Sequence, residues 1–379
     1  MKKWKITLGI LAALTLSTGY GSVSAQENSQ IQFNYKDTGI SSKQVIAENT
    51  TFVPLKSLTD AMGYTLSWDQ QSKKAKLVRP EREVAIIVGS KNSKVNGSII
   101  GLSKQPRIIK GSVYVPLVSA VNVLGGKIGV DKEGNIQIAD KPRFVTATAQ
   151  GRTYWVSQLN GDLYYRDSVA GQPVRIGQLP LTGSAYNHGF EIKSFDNGKD
   201  MLQLIDNHYA MFTDFSNSYQ VLVKAGTILK QMDYHFVTAA YPHASQVQST
   251  QLFMTDGKNV QYISKDGRLG KLLELEKLTG TSGDFTVEYA VADVTLVRSL
   301  ITTQLFAINS STDEVTNLSE HLISTEDRKD WDKVTDSRDP YVLSKMLVLK
   351  NRDGNVLTFN YTPLIDGYAK KVTYTLVTK

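Results

Sequence analysis

The chain has 379 residues, 43 Lys+Arg against 36 Asp+Glu, and no cysteine. The missing thiol excludes a disulfide framework, a thiolate metal site, a cysteine nucleophile and a lipidated cysteine anchor. The length is ample for burying a core without covalent staples and suits two domains.

Residues 1–25 read as an address label. Lys2, Lys3 and Lys5 precede the apolar run ITLGILAALTLSTG, and VSA ends at Ala25, the pattern of a secretory signal peptide. The run is shorter than the roughly 20 apolar residues of a transmembrane helix, and no later stretch is apolar enough to span a bilayer. The expected localisation is secreted or extracellular with cell-wall association. The lysine-rich leader, absent cysteine and abundant Asn, Ser and Thr suit a Gram-positive bacterium. Residues 26–143 hold 17 basic and 10 acidic side chains, and 144–379 hold 23 and 26. A basic first part would rest on an anionic cell-wall polymer; the plainer reading is a solvated surface with no partner.

Two stretches, TFVPLKSLTDAMGYTLSWD at 51–69 and VYVPLVSAVNVLGGKIGVD at 113–131, keep Pro54/Pro116, Leu55/Leu117, Gly63/Gly125 and Asp69/Asp131 in step. In each, a β-rich run leads into Val-Pro-Leu, with proline expected at the first helical position. Leu55, Leu58, Ala61 and Met62, then Leu117, Ala120, Val121 and Leu124, each line one face of a two-turn helix. Gly63 and Gly125 supply the left-handed stop. Helices this short need a sheet to dock on, and Asn96-Gly97 between the copies marks a hairpin. The expectation is an internally duplicated α+β domain, an antiparallel sheet packed on short helices, within 26–143.

The repeated (F/Y)-V-P-L…G…D frame, the VNG before the second copy and the lead-ins ENTTF and KGSVY resemble the stalk domain at the N-terminus of copper amine oxidases. The likeness covers about 31–140. It implies a compact, non-catalytic accessory module of exported bacterial proteins. Val130 stands where the first copy has Trp68, so the tryptophan is not part of the shared frame. Amine oxidase chemistry itself is not expected: His188, His208, His235, His243 and His321 contain no His-x-His pair, and FNYTP around Tyr361 lacks the acid of the quinone-forming motif. No cofactor is expected.

From about 144 a second periodicity begins. Hairpin-like segments start at 153, 201, 252, 303 and 346, each an alternating strand, a polar turn and another alternating strand, 43 to 51 residues apart. That spacing suits four-stranded propeller blades, so 144–379 is expected to be all-β, a β-propeller of about five blades, with a sandwich or meander as the other arrangement of the same strands. The segment also resembles Tyr-rich, propeller-like modules of bacterial surface proteins. Residues 323–341, rich in Asp, break the pattern; the spacing of Asp327, Asp330, Asp332, Asp336 and Asp339 fits no calcium loop, and a solvated helical insertion is expected.

No nucleophile elbow, Walker loop, Rossmann fingerprint or zinc spacing occurs, and nucleic-acid binding does not suit an exported chain of so small a charge. Acids such as Asp162, Asp256, Asp266 and Asp353 sit in turns, where the side chain caps the backbone. Tyr154, Trp155, Tyr164 and Tyr165 are the candidate binding residues, a cluster of aromatic faces on which sugar rings could stack. Alternation puts Tyr154 and Trp155 on opposite faces of a strand, so one of each adjacent pair is expected in the core. Three readings stand: a non-catalytic envelope protein that binds a glycan or surface protein, a glycoside hydrolase using a carboxylate pair in a propeller pocket, or a structural envelope protein.

Overall fold

The computed structural model describes residues 30–34, 36–37, 44–140, 144–181, 187–210, 213–237, 247–331, 333, 345–364 and 367–377, with backbone only at 36–37, 187–188, 207–210, 213–215 and 236–237. The expected leader at 1–25 lies outside them. The chain divides into two compact units. The first takes the residues up to Ala61, Gln70–Lys74 and Val84–Asp140. The second takes Met62–Asp69, Ala75–Glu83 and everything from Lys141.

In the first unit the duplication is literal. The lead-in strands Thr50–Pro54 and Ser112–Pro116 pair antiparallel with each other, Val53 opposite Val115, flanked by Val45–Ala47 and Arg107–Ile109. Each strand runs directly into a helix, α1 at Leu55–Ala61 and α2 at Leu117–Val123. The expected stripes are buried except at Ala61, which is half-buried: Leu55, Leu58 and Met62, then Leu117, Ala120, Val121 and Leu124, are all at most 1% exposed. Gly63 and Gly125 close the helices at φ +69° and +88°. Pro116 lies one position earlier than expected. It is the N-cap of α2, with φ −66° and ψ 115°, because its residue still closes the strand pair opposite Phe52.

A second sheet of this unit joins distant segments. Ile31–Phe33 runs parallel to Ile136–Ala139, which pairs antiparallel with Lys127–Val130. The strands Arg82–Ile87, Asn92–Val95 and Ser98–Gly101 form an antiparallel meander turned at Asn96-Gly97, both at positive φ.

Among its described residues the second unit contains five successive antiparallel meanders, with four, four, three, four and three strands. Each expected hairpin lies within one of them, and the intervening alternating runs supply the remaining strands. Neighbouring meanders share apolar cores: Tyr154, Val156 and Leu163 with Leu204 and Tyr219; Met201 and Leu222 with Met254 and Ile263; Val260 and Leu273 with Phe285 and Phe306; Leu296 and Ala307 with Leu357 and Phe359. Burial of a middle strand reports how many of its faces are covered. Val294–Ser299 in the fourth meander is buried at every position, whereas Val356–Tyr361 in the fifth alternates, with Leu357, Phe359 and Tyr361 inward.

The acidic segment after 323 departs from the expected solvated insertion. Its described helix is α3, Thr325–Trp331, which is docked rather than free. Trp331 packs edge-on to Tyr361 at 5.9 Å, and Asp327 accepts hydrogen bonds from the Tyr361 hydroxyl (2.9 Å) and Lys370 (2.5 Å). A single large aromatic at the end of a charged turn gives that turn an inner face. Asp332, Asp336 and Asp339 lie outside the described residues.

Candidate functional site

The four aromatic candidates lie on adjacent strands of the first meander, Arg152–Ser157 and Asp162–Arg166. Cross-strand register splits them into two pairs, Tyr154 with Tyr165 on one face and Trp155 with Tyr164 on the other. The alternation is as expected, but both faces are covered. Tyr154 and Trp155 are 1% and 0% exposed and Tyr165 is buried; Tyr164 is half-buried.

The first pair belongs to the seam with the second meander. Tyr154 and Tyr165 meet at a tilt of 47° with ring centres 5.2 Å apart, and the Tyr154 hydroxyl donates to Asp200 at 2.7 Å. Asp200 also accepts two bonds from Arg152 (2.6 and 2.8 Å) and one from Ser194 (2.6 Å). Burial pushes the Asp200 carboxyl up, but those four donors outweigh it and hold it below the ordinary aspartate range. Burial, and then the hydrogen bond to Asp200, raise the Tyr154 phenol far above its ordinary value.

On the opposite face, the second pair packs with the segment after α1. The Trp155 indole N–H donates to the Gly63 carbonyl at 2.9 Å, and the Tyr164 ring meets Phe144 edge-on. A Cβ on Gly63 would fall 2.7 Å from the Phe144 carbonyl oxygen, so the helix stop is also a close-approach point. Sequence alternation foretold the faces and not their covers. Tyr154 and Trp155 therefore offer no free ring to a sugar, and of the four only Tyr164 keeps appreciable exposure.

Among the turn acids the expected backbone cap is clearest at Asp256, whereas Asp162 bonds side chains and Asp353 ends the strand Val348–Asp353. Asp256 accepts the backbone N–H of Lys258 and Asn259, Asp266 pairs with Ser264 and Arg268, and Asp162 pairs with Arg175. Two of the buried acids are held by arginines, Asp200 by Arg152 and Glu288 by Arg298. Among the described residues no three His, Asp or Glu side chains gather as metal ligands. His235 bonds Asn217 through Nδ1, and His321 meets Tyr374 edge-on at 5.8 Å. His243 and the side chains of His188 and His208 lie outside the described residues.

One cavity of about 170 Å³ lies in the second unit, at the seam of the fourth and fifth meanders. Its floor is one face of the fourth sheet, where cross-strand register aligns Val294 with Asn309 and Ala307 with Thr316. Tyr374, Leu376 and Val377, at the end of the last strand, form its other wall. The Thr316 and Tyr374 hydroxyls share a 2.9 Å hydrogen bond, and Asn309 donates to the Val377 carbonyl at 3.3 Å. Glu314 stands at the exposed side, one carboxylate oxygen accepting from Thr312. None of these residues carried a sequence signal, since the pocket exists only where the last strand meets residues some 60–80 positions earlier.

The two units thus pair a duplicated α+β module with a serial β array. Residues 32–138, the stretch that carries the duplicated frame, match the family model of the copper amine oxidase N-terminal domain. No curated protein matches the chain. Among solved structures, the chain is similar to an endo-arabinase from Bacteroides thetaiotaomicron, at 10% identity over 84% of this chain and 94% of that one, with a TM-score of 0.22. It is also similar to an alpha-L-arabinofuranosidase from Fusarium graminearum in complex with an iminosugar inhibitor, at 8% identity over 86% and 72%, with a TM-score of 0.19. The mitotic checkpoint complex gives 13% identity over 84% and 93%, with a TM-score of 0.22. At these TM-scores the likenesses bear on neither the fold nor the activity of this chain.

Proposed function

We propose that this is an exported, envelope-associated, non-catalytic binding protein. The module at 32–138 is its spacer or wall-docking part, and the β array, read as propeller-like blades laid face to face, presents the binding face to a wall glycan. The observation that carries this reading is the match of 32–138 to a domain that is non-catalytic in the copper amine oxidases. The excess of 17 basic over 10 acidic side chains in 26–143 supports docking on an anionic wall polymer. Exposed charges act across a Debye length of about 8 Å at physiological salt and farther at low salt, so retention of the full mature chain on purified cell wall is expected to weaken as salt rises. Failure to be retained even at low salt removes the docking role.

A further inference from the structure

We infer that the open edge of the strand Ser98–Gly101, in the first unit, is a docking site for an extended acidic peptide, which adds to the sheet as a further strand. Such a site stands apart from wall docking and does not depend on it.

Hydrogen-bond phase decides which backbone groups are open. Ser98–Gly101 pairs with Asn92–Val95 on one side and ends its sheet on the other. Leu102 donates its N–H to the Lys91 carbonyl at 2.7 Å, and bonded residues alternate along an antiparallel strand. Ile100 therefore turns its N–H and carbonyl to Ser93, its partner in register. Ile99 and Gly101 turn theirs away from the hairpin, and no backbone group among the described residues takes them up. All four residues are exposed, Ile99 at 67%. Native edges are commonly blunted by lysine, proline or a bulge. Ser98–Gly101 holds no charge, no proline and no register shift.

Four features say what fits. Two open N–H and carbonyl pairs, two residues apart, match the backbone of another strand group for group. Ile100 shares a sheet face with Ser93 and Ile86, its partners in register. Those two are 1% and 0% exposed, whereas Ile100 is 39% exposed. That face lacks a cover at its edge, which one apolar residue opposite Ile100 would supply. Nothing in the fold accounts for glycine at 101: its φ lies outside the left-handed region, and a Cβ there would meet no atom within 4 Å. A bare position on an edge strand suits an aromatic neighbour on the added strand. Charge sets the sign. Lys94 pairs with Ile99 and Lys91 with Leu102 across the hairpin, and neither lysine forms an ion pair among the described residues. A second copy would bring like charge to this edge, in a module with 17 basic and 10 acidic side chains; an acidic peptide brings the opposite charge.

The test is fluorescence anisotropy of a fluorescein-labelled, C-terminally amidated peptide, EFVEVE, titrated with the full mature protein. Laid antiparallel, its phenylalanine lies opposite Gly101, the first valine opposite Ile100 and the middle glutamate opposite Ile99. Saturable binding is expected, with a dissociation constant on the order of 100 µM. Methylating the backbone nitrogens of the phenylalanine and the middle glutamate removes the two N–H groups that meet the strand and should weaken binding about tenfold or more. Methylating the two valines, whose N–H groups point away, should leave it within about twofold. On the protein side, I99P deletes only an outward N–H and spares the hairpin ladder; it should weaken binding about tenfold, and I99V should not. K94E should weaken EFVEVE about threefold and strengthen KFVKVK. Absence of saturable binding overturns the inference, as does equal binding of the two methylated peptides, which leave the protein untouched, or of EFVEVE and KFVKVK. A wild-type dimer in sedimentation equilibrium that I99P dissolves would make a second copy the occupant and overturn it as well. Wall retention should survive I99P, so failure of the wild-type protein to be retained sinks the docking reading alone.

Discussion

Two of the guanidinium groups buried in the second unit are housed in opposite ways. Arg298, in the fourth meander, grips Glu288 through Nε and Nη2. It also donates to the Thr303 carbonyl (2.8 Å) and the Leu347 carbonyl (2.6 Å), so its charge is neutralised and its donors are used. Arg166, in the first meander, is 3% exposed and meets no carboxylate among the described residues. Its Nη2 reaches the hydroxyls of Thr65 (2.9 Å) and, at 3.4 Å, Thr153, its Cζ lies over the Trp155 ring at 5.2 Å, and Nε has no acceptor among the described residues. Burial alone pushes the Arg166 guanidinium below its ordinary range. The contrast separates a fastener from a filler. Arg298 ties its own hairpin to Leu347 at the entrance of the fifth meander, whereas Arg166 spreads an apolar, cationic plane between an indole and two threonines.

Breaking the fastener should cost most. R298M leaves the Glu288 carboxylate buried without its partner and frees two backbone carbonyls, a loss on the order of 3–5 kcal/mol. Urea unfolding should show a strongly lowered midpoint, with the fifth meander released first in hydrogen exchange. The double variant E288Q/R298M should recover much of the loss, since the isolated charge and not the missing attraction dominates. If R298M and the double variant are equally destabilised, the pair contributes mainly through packing.

A third buried charge sharpens the comparison from the acidic side. Asp200 is fully buried and takes four hydrogen bonds from Arg152, Tyr154 and Ser194 across the seam of the first two meanders. Its carboxyl titrates below the unfolded value, so its contribution is fully present above the ordinary aspartate pKa of about 3.9 and is lost as pH falls through the lower, folded value. D200N should cost about 2–3 kcal/mol near neutral pH. The wild-type and D200N stabilities should converge as pH falls below about 4, through the lowered folded value. Parallel curves over that window would show that the network is fixed by shape and not by charge.

These charges mark the limit of what the sequence discloses. The proline-opened, glycine-closed frames disclosed α1, α2 and their buried stripes, because a two-turn helix and its stop are decided within about ten residues. The five hairpins were legible for the same reason, each being a strand, a turn and a strand. What covers a strand is decided elsewhere. Alternation put Tyr154 and Trp155 on opposite faces, but a period of two cannot say that Leu204 and Tyr219 cover one face while Gly63 meets the indole on the other. Ile31 pairing parallel with Ile136, and Leu376 walling a cavity floored by Ala307, are pairings across long loops that leave no local trace. Trp331 was legible only in retrospect, as the one large apolar residue in a run of charges.

The smallest effect is the most discriminating. R166M replaces a buried cation by an apolar side chain of similar length. It removes an unsatisfied Nε–H and the desolvation of a charge, both of which favour the variant. Against that it gives up the cation–π contact with Trp155, on the order of 0.5–2 kcal/mol, and strands the Thr65 hydroxyl, which retains its own bond to the Val78 carbonyl. These contributions oppose one another, so R166M should lie within about 1 kcal/mol of wild type in urea unfolding. R166A should be clearly worse, because it also leaves a void beneath the indole. A loss for R166M as large as that for R298M would mean that the guanidinium is held by a counter-charge after all, and the division between fastener and filler would dissolve.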